Sequence, residues 1–464
     1  MTKRNILLMS DSYKSPHRNM YVPKLQVVFS YLSSRGGVFS KTLYFGAQYY
    51  IKEYLLGQVI TMAMIDEAEA FWTAHFFGRK DCFDRRQWEY IVKHHDGRLP
   101  IRICSVAEGT ICDTGVVLMT IESTDFECAW LTNFIETLLM KVWYPITIAT
   151  QSYHIKKDIL SALNKSGTPE QIDFKCHDFG YRGVSSEETA ALGGASHLLS
   201  FMGTDTVAGI RLLMDYYHAP MCGFSIPATE HSIMCSFGKD HELDAMKNLL
   251  DRYPSGLLAC VSDTYDIYNA CENLWGTILK DQILGRDGCL VIRPDSGDFF
   301  EVIPRILNIL WDKFHGTVNE KVHKVLDPHV RLIQGDGMNP ETIRELYSHI
   351  IHLGWSADNI AVGSGGGLLQ TVNRDTQKFA IKASAAMVDG EWIDIFKSPV
   401  TDPGKKSLTG RFNTIKKDGR IYTVKSTENI PENILWPVYE NGMLLRDFTL
   451  ENVKNNIRLT EDLL

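Results

Sequence analysis

No stretch of this chain approaches the roughly 20 consecutive apolar residues of a membrane-spanning helix. The N-terminal stretch MTKRNILLMSDSYKS has an apolar core too short for a signal peptide and no small-residue cleavage site after it. An excess of positive charge is also missing. Lys and Arg total 48 against 56 Asp and Glu, a net charge of −8 with His neutral. That balance argues against a nucleic acid or an anionic membrane as the main partner. It leaves an anionic small molecule open, because a pocket sets its own local field. The ten cysteines, at positions 82, 104, 112, 128, 176, 222, 235, 260, 271 and 289, form no C-x-x-C and no zinc-like pairing with histidine. They read as reduced, mostly buried thiols of a cytosolic protein. No repeat period and no low-complexity tract is visible.

What is present fits a large soluble protein. The 464 residues are 44% hydrophobic and 22% charged, enough for two to four domains or one large barrel with additions. Ile101–Ser123 alternates, with Gly109 and Gly115 at turns, and reads as antiparallel strands. Phe126–Tyr144 is apolar enough for a buried helix, stopped by Pro145. From about residue 172, short apolar runs end in polar or glycine residues and give way to helical stretches. Eight such runs occur: 174–180, 199–205, 223–231, 257–263, 289–297, 330–337, 359–367 and 379–385. Strands alternating with helices predict a parallel α/β sheet, and eight favour an irregular (β/α) barrel over a doubly wound open sheet. The tail beyond 386 returns to strands and turns, including RIYTVKS. It is expected to join the N-terminal third in a β-rich domain. The boundaries are 1–166 and 376–464 for that domain and 167–375 for the barrel.

Parallel α/β architectures bind ligands at the carboxyl ends of their strands. The runs end in His177, Asp178 and Arg182; Asp205; Glu230 and His231; Asp263; Arg293, Asp295 and Asp298; Asp336; and the cluster Gly363–Gly367. Glycines let backbone N–H groups approach a phosphate, and a following helix start favours the anion. The cluster is neither a Walker A loop nor a Rossmann fingerprint, since Leu368 stands where the third glycine would fall. Arginine suits bidentate phosphate contact, and Asp295 could meet a sugar hydroxyl or hold Mg²⁺ through water. Phe179 could stack on a flat ring. His231 is placed for acid–base or phosphate chemistry. Two simpler readings stand beside these: Ser185 with Glu188 as a capping box, and Asp205 as the N-cap of a helix 206–217. The sum is a phosphate-bearing sugar, a cation and a planar ring.

The segments HDFGYRGVSS (177–186), GTDTVAG (203–209), EHS (230–232), SDTYDIYNACE (262–272), IRPDSG (292–297), QGDG (334–337) and GSGGGLLQ (363–370) resemble the nicotinamide phosphoribosyltransferases, as do DSYK (11–14), LTNFIET (131–137) and WYPITIAT (143–150). The resemblance runs in order over nearly the whole chain. It implies a type II phosphoribosyltransferase fold, an α/β barrel plus a β-rich domain built from both chain ends, and a cytoplasmic homodimer with shared active sites. It implies the conversion of nicotinamide and phosphoribosyl pyrophosphate to nicotinamide mononucleotide and pyrophosphate, with Mg²⁺ and with ATP hydrolysis coupled through a phosphohistidine. Carried over by position, Phe179 stacks on the pyridine ring and Tyr13 of the partner subunit covers its other face. Asp205 accepts from the carboxamide, and Arg293 lies near the carboxamide and the phosphates. Asp295 contacts the ribose; Gly335, Asp336, Gly365 and Gly366 hold ribose and 5′-phosphate; Arg182 meets pyrophosphate. His231 is the phosphorylated histidine, oriented by Glu230 or Asp263. Arg374, Lys382, Lys397, Lys405 and Arg35 match basic positions around the phosphates. Ala380 stands where a serine is common, and the segment after Arg35 is shorter than in the animal enzymes. A nicotinate-preferring enzyme and a catalytically silent binding protein are the alternatives.

Overall fold

The structure, a computed structural model, describes residues 4–397, 401, 407–425 and 430–461. The chain divides into two compact units: Met1–Thr150 with Leu213–Ala219 and Val372–Leu464, and Gln151–Leu212 with Pro220–Thr371.

The first unit is built on a seven-stranded sheet in the order Glu391–Asp394, Phe379–Val388, Leu25–Ser34, Val117–Ser123, Ile101–Ser105, Trp436–Glu440 and Met443–Leu444, with antiparallel neighbours throughout. Both chain ends supply strands. The small side chains of Phe379–Val388 make room for large ones opposite: Phe29 pairs with Ala385, and the Phe412 ring packs on Phe29 and Tyr31. Strands of this kind are stabilised by such cross-strand pairs.

The eighth apolar run, 379–385, therefore belongs to this antiparallel sheet and not to the barrel. A parallel crossover needs about a dozen residues or more, usually a helix. The helix after the seventh run is only Gly366–Leu369. The partner strand, Leu25–Ser34, comes from the other end of the chain, where no local pattern points to it.

The second unit holds the parallel strands. A five-stranded sheet runs Cys176–Asp178, Ile360–Ser364, Val330–Gln334, Asp287–Arg293 and Ser255–Val261. Single parallel bridges continue it into a ring: Ala259 with Ala228, Phe224 with Gly203, and Thr204 with Asp178. The second and third apolar runs thus contribute bridges in place of regular strands. Pro227 has no N–H to give a ladder, and Gly203 and Gly223 weaken extended structure. The result is an irregular (β/α) barrel of seven parallel segments.

Two local expectations change. Residues 126–142 form short turns of helix at Phe126–Cys128, Leu131–Phe134, Glu136–Leu139 and Met140–Val142. Pro145 does not stop a helix but lies in the first turn of the long one, Trp143–Ser166, where its missing N–H costs nothing. The cap of the helix Glu187–His197 is Ser186, whose Oγ accepts from the Thr189 N–H, one residue beyond the expected Ser185.

Candidate active site

The barrel strands deliver their last side chains to one rim, and most of these are held by a neighbour. His177 lies in Cys176–Asp178 between two buried residues that face the other way. Its Nε2 is 3.0 Å from Asp205 Oδ1, and the Ser225 hydroxyl donates to the same oxygen at 2.5 Å. Asp205 is thus no helix cap; the Thr204 hydroxyl accepts from the Thr206 N–H instead. Partial burial alone would raise the Asp205 carboxyl. The hydrogen bond and charge of His177, the Ser225 hydroxyl and the field of Arg293 outweigh it and hold the group below the usual carboxylate value. Asp178 is fully buried and structural, accepting from the Gly180 N–H at 2.7 Å and from Thr204.

Phe179 lies beside this pair, its ring centroid 4.9 Å from that of His177. The ring fits because Gly363 has no side chain: a Cβ there would stand 2.0 Å from Phe179 Cε2. Gly335 borders the same ring, with its Cβ position 3.4 Å from Cε2 and 3.6 Å from Asp295 Oδ1. The Phe179 ring, the Asp295 carboxylate and the glycine turn at Gly335 are therefore neighbours in space. Arg182, in the turn Tyr181–Gly183, is exposed and makes no ion pair among the described residues. The adjacent Gly183 lies against Gly366. Gly365 precedes Gly366–Leu369, and open space surrounds the Cβ position of Gly366.

His231 begins the helix His231–Phe237. Its Nε2 is 3.0 Å from Asp263 Oδ1, and Ser296 Oγ donates to Asp263 Oδ2 at 2.5 Å. The Asp263 side chain is 5% exposed and that of His231 44%, so the carboxylate is a buried anchor and the imidazole is reachable. His231 Nδ1 points toward Asp295 Oδ2 at 3.9 Å, and Arg293 Nη2 is 3.4 Å from that same oxygen. Of the two carboxylates offered for His231, Asp263 makes the hydrogen bond. Glu230 accepts from Ser232. Asp298 caps the helix Phe299–Phe314, accepting from the Phe300 N–H. Asp336 is exposed and has no ion pair among the described residues.

The remaining sites belong to the antiparallel unit. Asp11 accepts from the Thr137 hydroxyl at 2.8 Å, and buried Lys14 pairs with Glu136 at 2.8 Å. The DSYK and LTNFIET segments are thus clamped together, which leaves Tyr13 61% exposed. The charges of Arg35, Arg374 and Lys397 reach Lys382. Burial first, then Arg35, then Lys397 and Arg374, lower its ammonium pKa against the opposing pull of Glu136. Lys405 lies outside the described residues. Ala380 is buried opposite Ser33.

Residues 174–441 match the nicotinate phosphoribosyltransferase (NAPRTase) family. The chain belongs to that family. Residues 5–103 match the N-terminal domain of nicotinamide phosphoribosyltransferase. The chain is 46% identical over 461 residues to a protein of Xanthomonas campestris pv. campestris (strain 8004) named nicotinamide phosphoribosyltransferase, covering 97% of each. It is 31% identical to one of the same name from Acinetobacter baylyi, covering 98% of this chain and 97% of that one. A crystal structure of nicotinate-nucleotide pyrophosphorylase from Pyrococcus furiosus shares the fold, with a TM-score of 0.62 at 15% identity, covering 100% of this chain and 97% of that one. As a family member the protein is an enzyme of pentosyl transfer. Among the described residues, no helix is long and apolar enough to cross a membrane.

Three residues at this phosphoribosyltransferase rim escape a reading of run ends: Ser225, Ser296 and Gly363 in its role against Phe179. Each acts through a neighbour distant in sequence. For Ser296 and Gly363 the available signal was their position inside the recognised segments IRPDSG and GSGGGLLQ; Ser225 lies near the start of the third apolar run and carried none.

Proposed function

We propose that the enzyme transfers the phosphoribosyl group of phosphoribosyl pyrophosphate to nicotinamide, and that ATP hydrolysis is coupled to this through a phosphohistidine at His231. The observation that carries the choice of base is Asp205. Among the described residues, its Oδ1 accepts from His177 and Ser225, and Oδ2 has no donor. An anionic oxygen beside the Phe179 ring suits a carboxamide N–H and repels a carboxylate. The names of the two relatives support the same choice.

In this reading, Phe179 and Tyr13 of the partner subunit sandwich the pyridine, and Asp205 turns its ring nitrogen toward C1 of the ribose. The nitrogen lone pair forms the new C1–N bond as the bond from C1 to pyrophosphate oxygen breaks. Orientation of a weak neutral nucleophile is where binding geometry counts most. Asp295 holds the ribose hydroxyls, the turns at Gly335–Asp336 and Gly365–Gly366 cradle ribose and 5′-phosphate, and Arg182 and Arg293 take up charge on the leaving group. The cations around Lys382 serve phosphates as well. Mg²⁺, which keeps most of its waters and takes one or two carboxylates, fits the exposed Asp336 and the half-exposed Asp295, and it would neutralise charge on the departing pyrophosphate. In the coupled step His231 Nδ1 attacks the γ-phosphorus of ATP, the bond to the bridging oxygen breaks and ADP leaves. Asp263 holds the Nε2 proton throughout.

A product assay with phosphoribosyl pyrophosphate, Mg²⁺ and each base tests this. Nicotinamide mononucleotide should form, with a much lower kcat/KM for nicotinate. Equal constants for the two bases, or faster use of nicotinate, would overturn the assignment. Intact mass after incubation with ATP and Mg²⁺ should show one acid-labile phosphate, absent from His231→Ala.

A further inference from the structure

Asp205 does not stand alone, and its companion is titratable. We propose that His177 is a specificity-determining positioning residue: its Nε2–H locks Asp205 so that only Oδ2 faces the base, and its charge state decides whether the pocket rejects a carboxylate-bearing pyridine. The inference rests on the reading that Asp205 meets the carboxamide.

The geometry supplies the parts. Against an anionic carboxylate oxygen 3.0 Å away, Nε2 is the donor nitrogen of His177. In the neutral ring Nδ1 then carries no proton. It faces Gly203, where a Cβ would come within 2.8 Å, so the strand leaves this edge of the ring uncovered by a side chain. The groups around His177 can be named element by element. The 203–205 segment brings Asp205, and the Phe224–Ser225 segment brings the Ser225 hydroxyl. The strand Asp287–Arg293 brings Arg293, whose charge reaches Asp205. The strand Ile360–Ser364 pairs Gly363 with His177 and offers no titratable side chain. Behind lie buried Asp178 and His197, with His197 from the helix Glu187–His197.

With His177 neutral, Asp205 and His177 together carry one negative charge. A second proton, taken at Nδ1, brings the pair to zero while Arg293 stays positive. A base bearing a carboxylate then meets one negative charge fewer beside Asp205, with Arg293 already paired to Asp295. Because that proton changes the charge beside the base, selectivity should depend on pH.

The ratio of kcat/KM for nicotinamide to that for nicotinate, measured on the same enzyme from pH 5.5 to 8.5, isolates this effect. Titration of His231, of the phosphates or of the basic cluster changes both constants alike and cancels. The ratio should fall by about tenfold toward acid pH, the equivalent of one pH unit of linkage. In His177→Gln, whose amide can still donate to Asp205 but cannot gain a proton, the ratio should stay near its high-pH value throughout. In His177→Phe it should be low and flat. A flat ratio in the unmodified enzyme, or the same slope in His177→Gln, would refute the role of His177. Failure of the underlying reading looks different: Asp205→Asn would then leave the ratio unchanged at every pH.

Discussion

The two units handle charge in opposite ways. At the barrel rim, acid and base come in hydrogen-bonded sets: His177 with Asp205 and Ser225, His231 with Asp263 and Ser296. In the antiparallel unit, the charges of Arg35, Lys397 and Arg374 act on Lys382, which is half-buried and whose ammonium pKa is lowered by burial and by these neighbours. The first arrangement is satisfied without a ligand and fixes tautomer and orientation in advance. The second brings like charges together, with Glu136 as the opposing negative charge. The groups proposed to react or discriminate are thus preorganised by partners, whereas those proposed to bind phosphate lie among like charges.

If that contrast holds, breaking a set at the rim should cost rate or selectivity, and breaking the cluster should cost anion binding. The largest effect is expected for His231→Ala: loss of ATP stimulation and a fall in coupled kcat of about 10²–10⁴-fold, the range for a positioned proton-transfer or nucleophilic side chain. Ser296→Ala should weaken phosphorylation far less, because Asp263 remains buried beside His231. Equal losses in both would show that the set acts as one indivisible unit.

Next comes Asp205→Ala. One lost charge-assisted hydrogen bond is worth about 1.5–3 kcal/mol, so the preference for nicotinamide should drop roughly ten- to a hundredfold, read from kcat/KM for the two bases. Gly363→Ala follows. Its Cβ would lie 2.0 Å from the Phe179 ring, and relieving such overpacking costs about 1–3 kcal/mol. Either the ring moves and KM for nicotinamide rises with little change for phosphoribosyl pyrophosphate, or the whole cost appears as a lower Tm. The second outcome would place Phe179 outside base binding.

The smallest effect concerns Lys382. Its pKa lies below the ordinary lysine value of 10.5, so the unfolded chain binds more protons between the lowered value and 10.5. Stability from this group therefore rises with pH across that window and is lowest below it. Lys382→Met should raise Tm modestly at neutral pH and low salt. Inorganic phosphate should raise Tm in the unmodified enzyme, by binding the folded state, and less in the variant. An equal phosphate response in both would remove Lys382 from the anion site.

Much of the rim was legible in the residues alone. His231, Asp205, Arg293 and Asp295 each end an apolar run, and the break in a continuous apolar run marks where a buried parallel strand ends. The Asp263 partnership with His231 was half legible, because Glu230 is adjacent in sequence and equally acidic. Only the position of Asp263 at the end of the neighbouring parallel strand decides between them.

The chain's own pattern determined that there would be parallel strands with helices between them, that their ends would carry carboxylates, arginines and a glycine loop, and, through its recognisable segments, which family it belongs to. The tertiary structure alone decided that 379–385 leaves the barrel to pair with 25–34, that prolines and glycines reduce two barrel segments to single bridges, and that serines 20 and 33 residues away in sequence hold Asp205 and Asp263. Local periodicity encodes which face of an element is buried. Pairing across hundreds of residues, and a single hydroxyl placed on a carboxylate, leave no period behind.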